Sequence, residues 1–373
     1  CSERQRLVMV SGPSGVGKSA LIGELYKPLA QSRGFFLQGK FELLQKNVPH
    51  FAWVQAFNQL ADLLLSESEE VLESWRNKIL KEMGPVLGVL VNMVPRFARI
   101  LGDQGEIPQS NSQEARSQFA YAMRQFIKAM ASPRHPMVIF LDDCQWGDSA
   151  SMDLIKNLIA DTDDHCLMLI AAYRSNEVGA DHVFSQMLTD LDKELLSNFM
   201  GRNDLLENVK IELKDLSESD IQSLCMDILG RTRKEVEELA SLIYKKPLGN
   251  AFYTKRFLGA LYENKQLKFS AIKSYWEWDL DAIRLSDATE NVIELMSEQL
   301  MQLPEETLAV LQLASCDGTD FEVKPLSLIL NQDPSQIDLL LRPALLDGFI
   351  RPKQSIWETL LRRNAYSHWS KNW

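Results

Sequence analysis

The stretch "VMVSGPSGVGKSALIGEL", residues 8–25, constrains the fold more than any other part of this chain. An apolar run stops at a small polar residue. Gly12, Pro13, Ser14, Gly15, Val16, Gly17, Lys18 and Ser19 follow, and a helical pattern then opens through Ala20. The spacing G-x-x-x-x-G-K-[ST] is that of a phosphate-binding loop: its glycines let the backbone turn tightly with amide N–H groups facing inward. Lys18 supplies positive charge for the β- and γ-phosphates, and the Ser19 hydroxyl is placed to ligate Mg²⁺. A helix starting at about Lys18 turns its positive dipole end toward the anion. The context agrees, with "RLVMV" reading as a buried strand and "KSALIGELYKPL" as one helix stopped near Pro28. Such a loop can serve phosphoryl transfer, a motor or a nucleotide-gated switch, and the motif alone does not choose among them.

The strands that follow define a parallel sheet. "GFFLQGKFE" (34–42) predicts a second strand, "MVIFLDD" (137–143) a fully buried one ending in two aspartates, and "CLMLIAAYR" (166–174) a third buried run. Between the second strand and "MVIFLDD" the apolar spacing of three and four predicts helices over about 51–130, among them one long pattern in "VLGVLVNMVPRFARIL". "SASMDLIKNLIAD" is helical, and "NVKIELKDL" (208–216) alternates and closes the strand pattern. Strands alternating with helices imply a parallel sheet covered on both faces, with ligand at the carboxyl ends of the strands, where Gly12, Asp142 and Arg174 fall. Beyond about 216 the pattern turns helical. "AFYTKRFLGALYENKQL" predicts a helix, "SYWEWDLDAI" a short aromatic strand or turn, and the last part a small helical domain with a closing hairpin.

Composition narrows the function classes. A chain of 373 residues and 42.5 kDa holds two or three domains. The net charge of −11 argues against a large nucleic-acid surface. Five cysteines at 1, 144, 166, 225 and 316, without a CxxC pair, point to free thiols in an intracellular, cytoplasmic protein rather than to a zinc site or disulfide framework. The longest uncharged apolar stretch, 83–95, is too short and too interrupted by Gly and Pro to span a bilayer, and no signal peptide precedes it. The chain starts at Cys1 and ends on "HWSKNW", as a segment of a longer protein would.

"MVIFLDD" resembles a Walker B strand. Asp142 is placed to hold Mg²⁺ directly or through water, and Asp143 to orient or deprotonate the attacking water, although spacing alone does not fix which acid takes which role. Arg174 ends the strand expected beside the first one. Its fixed charge and forked donors suit a γ-phosphate, the alternative being an exposed arginine closing a strand. Lys40 in "GKFE" and Trp146 in "DDCQWGD" also fall where they could face the site, or could be structural.

Taken together, "SGPSGVGKSALIGELYKPL", "GFFLQGKFELLQKNVPHFAWVQAF", "VIFLDDCQWGDSASMDLI", "LIAAYRSNEV" and "LGNAFYTKRFLGALYENKQL" resemble the AAA-type ATPase module of STAND signal-transduction ATPases. The likeness is to the version found in multidomain serine/threonine and hybrid histidine kinases, and it runs from about residue 6 to about 350. It implies an α/β P-loop NTPase core with a five-stranded parallel sheet and helices on both faces, then a helical lid and a winged-helix-like small domain. The corresponding division is 1–205, with a helical insertion at about 51–130, then 206–285 and 286–373. By the same resemblance Lys18, Ser19 and Asp142 hold Mg-ATP, Asp143 assists a slow hydrolysis and Arg174 senses the γ-phosphate. Exchange of ATP and ADP then switches the arrangement for neighbouring kinase or sensor domains outside this chain, and an oligomer is compatible although no residue points to one. The lid motif departs from the family's Gly-Asn-Pro: it reads Gly249-Asn250-Ala251, with Pro247 ahead of it, and the tail after about 352 leaves the family's usual continuation.

The rival readings fare less well. The loop alone resembles that of guanylate kinases, which are shorter and lack an apolar strand ending in Asp-Asp over a hundred residues downstream. A GTPase wants Asn-Lys-x-Asp, and "ENKQL" (263–267) lacks the aspartate. A DNA-binding initiator-type ATPase needs clustered cations, yet residues 286–373 hold seven Lys/Arg against thirteen Asp/Glu. A scaffold that binds nucleotide without turnover has the same motifs and is separated only by measuring hydrolysis.

Overall fold

The computed structural model describes residues 6–46, 48–104, 112–159, 166–179, 181–198, 207–271, 273–285, 300–316 and 321–350, together with residues 297 and 318. It divides into two compact units, the first ending at Lys214 and the second beginning at Asp215. The first unit is built on five strands, β1 (Arg6–Ser11), β2 (Phe35–Lys40), β3 (Met137–Asp142), β4 (Leu167–Tyr173) and β5 (Glu207–Glu212). They lie in the order β2-β3-β4-β1-β5, and every pairing is parallel. A boundary at residue 205 would hand β5 to the lid, but β5 pairs with β1 along its whole length and belongs to the sheet.

Side chains alternate across a strand, and the alternation sorts the sheet into two cores. Leu7, Met9, Leu37, Ile139, Leu141, Leu169 and Ala171 face a large core filled by helices. Val10, Val138, Phe140, Ile170 and Ala172 face a smaller one that contains Ile22. Because both faces are covered, β3 is buried at all six positions, which is why its sequence is an unbroken apolar run.

The helix after the phosphate loop is two helices, not one: α1 (Lys18–Gly23) and α2 (Tyr26–Gln31). In a continuous helix Pro28 would lack the N–H that bonds the Glu24 carbonyl, and its ring would press on that carbonyl. The break at Glu24–Leu25 places Pro28 in the first turn of α2, where that N–H has no helical partner to lose. Proline acts likewise in "VLGVLVNMVPRFARIL". Helices Leu87–Met93 and Ala98–Leu101 flank a tight turn at Pro95–Phe97, so the expected single helix is two.

Among the described residues, five helices join β2 to β3, including α3 (Phe51–Leu65), α4 (Glu69–Met83) and a last one at Ser112–Met130. Trp53, Phe57, Phe97 and Phe126 fill their interior, with Phe126 meeting Phe57 and Phe97 edge-on at 5.4 and 5.2 Å. Helix α3 lies along the open edge of β2. Gln59 Oε1 accepts the Gln38 N–H at 3.0 Å while its Nε2 donates to the Gln38 carbonyl at 2.8 Å, and Gln55 Oε1 accepts the Lys40 N–H at 2.9 Å. Two glutamines one turn apart thus do for β2 what a sixth strand would do.

The close approach requires Gly39, since a Cβ there would run into the Ala52 carbonyl. Gly39→Ala is therefore expected to destabilise the first unit by about 1–3 kcal/mol, the usual size of an overpacking penalty. Gly259→Ala has the opposite expected sign, because this glycine sits inside a helix with open space at its Cβ position. Denaturant unfolding of both variants checks the pair, and equal midpoints would refute the close-approach argument.

The second unit opens with two well-capped helices. Ser217 and Asp220 form a capping box for Glu218–Leu229, and Thr232 and Glu235 form another for Arg233–Lys245. The helix Ala251–Glu263 follows, shorter than the sequence suggests, because Leu267–Ser270 leaves it to pair antiparallel with Tyr275–Trp278. These elements share a core of Ile221, Val236, Leu239, Ile243, Phe257 and Trp276. In the lid motif Asn250 caps the third helix, accepting the Tyr253 N–H and donating to Asp215 Oδ1 at 3.2 Å. Ala251 is the first helical residue, a position that suits proline but does not need it, so the departure from Gly-Asn-Pro leaves the helix start intact. Helices Glu305–Ser315, Val323–Leu330 and Pro334–Leu346 form a further small core around Val310, Ile337 and Leu341. The closing hairpin expected beyond them lies outside the described residues. Among the described residues, no helix is long and apolar enough to cross a membrane.

Candidate functional site

A parallel sheet brings the carboxyl ends of its strands to one edge, and the register sets what meets there. Lys40 pairs with Asp142 and Ser11 with Tyr173. The residues just past the tips of β1, β3 and β4 are therefore Gly12, Asp143 and Arg174, beside Lys40 at the tip of β2.

The loop leaves β1 with positive φ at Gly12, Gly15 and Gly17. Gly12 cannot be replaced, since a Cβ would lie 2.5 Å from the Leu213 carbonyl oxygen and 3.0 Å from Val16 Cγ1. Val16 is buried, while Pro13 and Gly15 are half-buried and Ser14, Ser19 and Ala20 are exposed. Lys18 turns back over the loop and donates to the carbonyls of Gly12 at 2.8 Å and Pro13 at 2.9 Å. Burial pulls its ammonium below the usual lysine range, against the opposing pull of Asp142 and Asp143.

Alternation explains why the two motifs touch. Val138 and Phe140 share the smaller core with Ile22 of α1, so Asp142, two residues on, points to the same side. There Ser19 Oγ donates to Asp142 Oδ2 at 2.8 Å. Asp142 Oδ1 accepts the Asp143 N–H at 3.0 Å. Burial first, and the Asp143 charge second, raise the Asp142 carboxyl above its ordinary value, with the Ser19 hydroxyl and Lys40 pulling it down. A buried carboxylate beside a hydroxyl is an oxygen pair of the kind Mg²⁺ takes when phosphates and water complete its shell. Among the described residues, no cluster of three or more His, Cys, Asp or Glu side chains is set to hold a metal by itself.

Asp143 is built differently. Its backbone is left-handed (φ 53°), which swings its carboxylate out of the strand line and opens a short turn at Cys144–Trp146. Three groups hold that carboxylate. Gln145 Nε2 donates to Oδ1 at 2.8 Å, Arg174 Nε lies 3.3 Å from Oδ1, and Lys40 Nζ lies 3.4 Å from Oδ2. Arg174 is itself fixed by Glu177 Oε1 at 2.7 Å and by the Trp146 ring, 4.8 Å beneath its guanidinium. The sequence candidates Lys18, Ser19, Asp142, Asp143 and Arg174 thus converge, and Lys40 and Trp146 join them. Behind the turn the wholly buried Cys144 thiol is pushed well above its ordinary value, chiefly by burial, and is chemically quiet.

Gln145 and Glu177 were not legible as site residues. Glu177 reads as an exposed acid in a loop, and a glutamine in "DDCQWGD" reads as solvated. Only its burial, at 2 % exposure, sets Gln145 apart.

Residues 1–170 match the family described as the AAA ATPase domain. The chain is 27% identical over 395 residues to the "Hybrid signal transduction histidine kinase G" of Dictyostelium discoideum, an alignment covering 89% of this chain and 11% of that protein. It is 23% identical over 405 residues to the "Peroxide stress-activated histidine kinase mak3" of Schizosaccharomyces pombe, covering 96% of this chain and 16% of the relative. The chain therefore spans about a tenth to a sixth of these relatives. Among solved structures, a Signal Transduction ATPase with Numerous Domains (STAND) protein with a tetratricopeptide repeat sensor from Pyrococcus horikoshii is similar at 13% identity and a TM-score of 0.42. That alignment covers 94% of this chain and 38% of the other. Cdc6p from Pyrobaculum aerophilum follows at 15% identity and a TM-score of 0.36, over 96% of this chain and 79% of the other.

Proposed function

We propose that this chain, which carries an AAA ATPase domain at its start and a helical second unit, is the nucleotide-operated switch of a longer signalling protein. The observation that carries the reading is the joint between the motifs. The loop serine bonds the first aspartate of β3, and the second aspartate is gripped by cations from two other strands. Lys18 and the loop amides bind the triphosphate, and Ser19 with Asp142 holds Mg²⁺. A Mg²⁺ held there would neutralise charge on the phosphate oxygens. Asp143 takes the proton from the attacking water, and hydrolysis is slow because its carboxylate is held by the Arg174 and Lys40 cations.

Switching follows from that tie. Arg174 and Lys40 can bond either Asp143 or a γ-phosphate, so the two charge patterns belong to two nucleotide states. The relatives' names place similar stretches in histidine kinases, and neighbouring sensor or kinase domains are the proposed receivers of the change. A cytoplasmic setting fits the free thiols Cys144, Cys225 and Cys316.

Calorimetric titration of the chain with Mg-ATP, Mg-ADP and Mg-GTP, beside a phosphate-release assay, tests the reading. Adenine-selective binding with slow turnover supports it, whereas no binding or equal GTP binding refutes it. Arg174→Ala is expected to narrow the ATP-over-ADP preference by about tenfold, one lost charge-assisted contact to the γ-phosphate. An unchanged affinity ratio would make Arg174 structural.

A further inference from the structure

One side chain at the site has no role in the account above beyond contact. Gln145 sits in the turn after β3, almost wholly buried, and both ends of its amide are spent on the machinery. Nε2 donates to Asp143 Oδ1 at 2.8 Å, and Oε1 accepts the Arg174 N–H at 3.2 Å. A primary amide is the side chain that can donate at one end and accept at the other without charge. The first bond fixes the rotation of a carboxylate that a left-handed backbone has swung free of β3. The second pins the residue just past the end of β4, from which the Arg174 side chain starts. No other described side chain bonds both of these residues through uncharged groups alone.

We propose that Gln145 is a positioning residue that couples the two halves of the switch: its donor end aims the Asp143 carboxylate for hydrolysis, and its acceptor end places Arg174 for reading the γ-phosphate. The proposal rests on the nucleotide-switch reading given above. It assigns two functions to two atoms of one residue, so the functions separate on substitution. Gln145→Leu removes both bonds while filling similar volume. Gln145→Glu keeps an oxygen for the Arg174 N–H but turns the donor facing Asp143 into a second negative charge.

The test is steady-state turnover and calorimetric Mg-ATP and Mg-ADP affinities for the wild type and both variants, with thermal melting to confirm folding. Gln145→Leu is expected to lose about tenfold or more in kcat, as a misaimed catalytic group does, to keep the Mg-ATP Kd within about threefold because Lys18 and the loop are untouched, and to narrow the ATP/ADP ratio. Gln145→Glu is expected to lose kcat as far but to hold the wild-type ratio. Wild-type kcat and ratio in Gln145→Leu overturn the proposal while leaving the switch reading in place. Loss of both properties to the same degree in both variants overturns the division of labour. If the leucine variant does not fold, the near-isosteric glutamate variant decides by its kcat and ratio. A wild-type chain that binds no nucleotide removes the switch reading and this inference together. One that binds without turning over leaves the affinity ratios to decide.

Discussion

Lys18→Ala is expected to weaken Mg-ATP binding by about a hundredfold or more, the largest effect on affinity of any single change in this chain. The Lys18 side chain is buried against the loop, where its ammonium bonds two backbone carbonyls that a bound phosphate can displace. Its removal deletes charge-assisted hydrogen bonds, each worth about 1.5–3 kcal/mol. The fold is expected to survive, since the Pro13 carbonyl is only half-buried and water can replace the lost donor there. Calorimetry gives the affinity and a melting curve the control. A Kd within threefold of the wild type would mean that residues 12–19 do not cradle phosphate.

Asp143→Asn carries the largest expected effect on rate. An amide keeps the shape and still accepts the Gln145 donor, so the turn at 144–146 has no reason to open. It cannot take a proton from water, and loss of a positioned general base costs about 10²–10⁴-fold. Affinity moves the other way. Arg174 and Lys40 lose their counter-charge and become more available to a γ-phosphate, so Mg-ATP is expected to bind as tightly as in the wild type or more so. Single-turnover phosphate release with parallel titration separates rate from affinity. Wild-type turnover in this variant would take the role of base away from Asp143.

Much of this was legible because the informative residues obey local rules. The phosphate loop is set by its glycines and the β3 strand by burial on both faces. That the sheet has five strands came from the family resemblance, and the order β2-β3-β4-β1-β5 is known only from the structure. What the sequence concealed depends on packing between distant segments. Pro28 signals a break but not that it falls at Glu24–Leu25 with a new helix running through the proline, and the apolar spacing around Pro95 conceals the turn that divides it. The start of Leu267–Ser270 looked like a helix tail because Leu267 continues the apolar spacing of Ala251–Glu263, while its partner Tyr275–Trp278 was legible as a short aromatic strand or turn. At the site, Lys40 and Trp146 could be placed near the edge but not joined to Asp143 and Arg174, since those contacts depend on the β2–β3 register and on the turn after Asp143. Gln145 was invisible for the same reason: only tertiary structure buries it.

The glutamines that line β2 have a consequence for life inside a long chain. A domain tethered to others meets them at an effective concentration of roughly millimolar, far above that of free proteins. Under such crowding a bare strand edge invites a passing segment of a neighbour to add itself and stay. Gln55 and Gln59 take up the backbone groups such a visitor would use at Gln38 and Lys40. If the chain works as the switch proposed above, on that side the domain can touch its neighbours without being stitched to them and stays free to move.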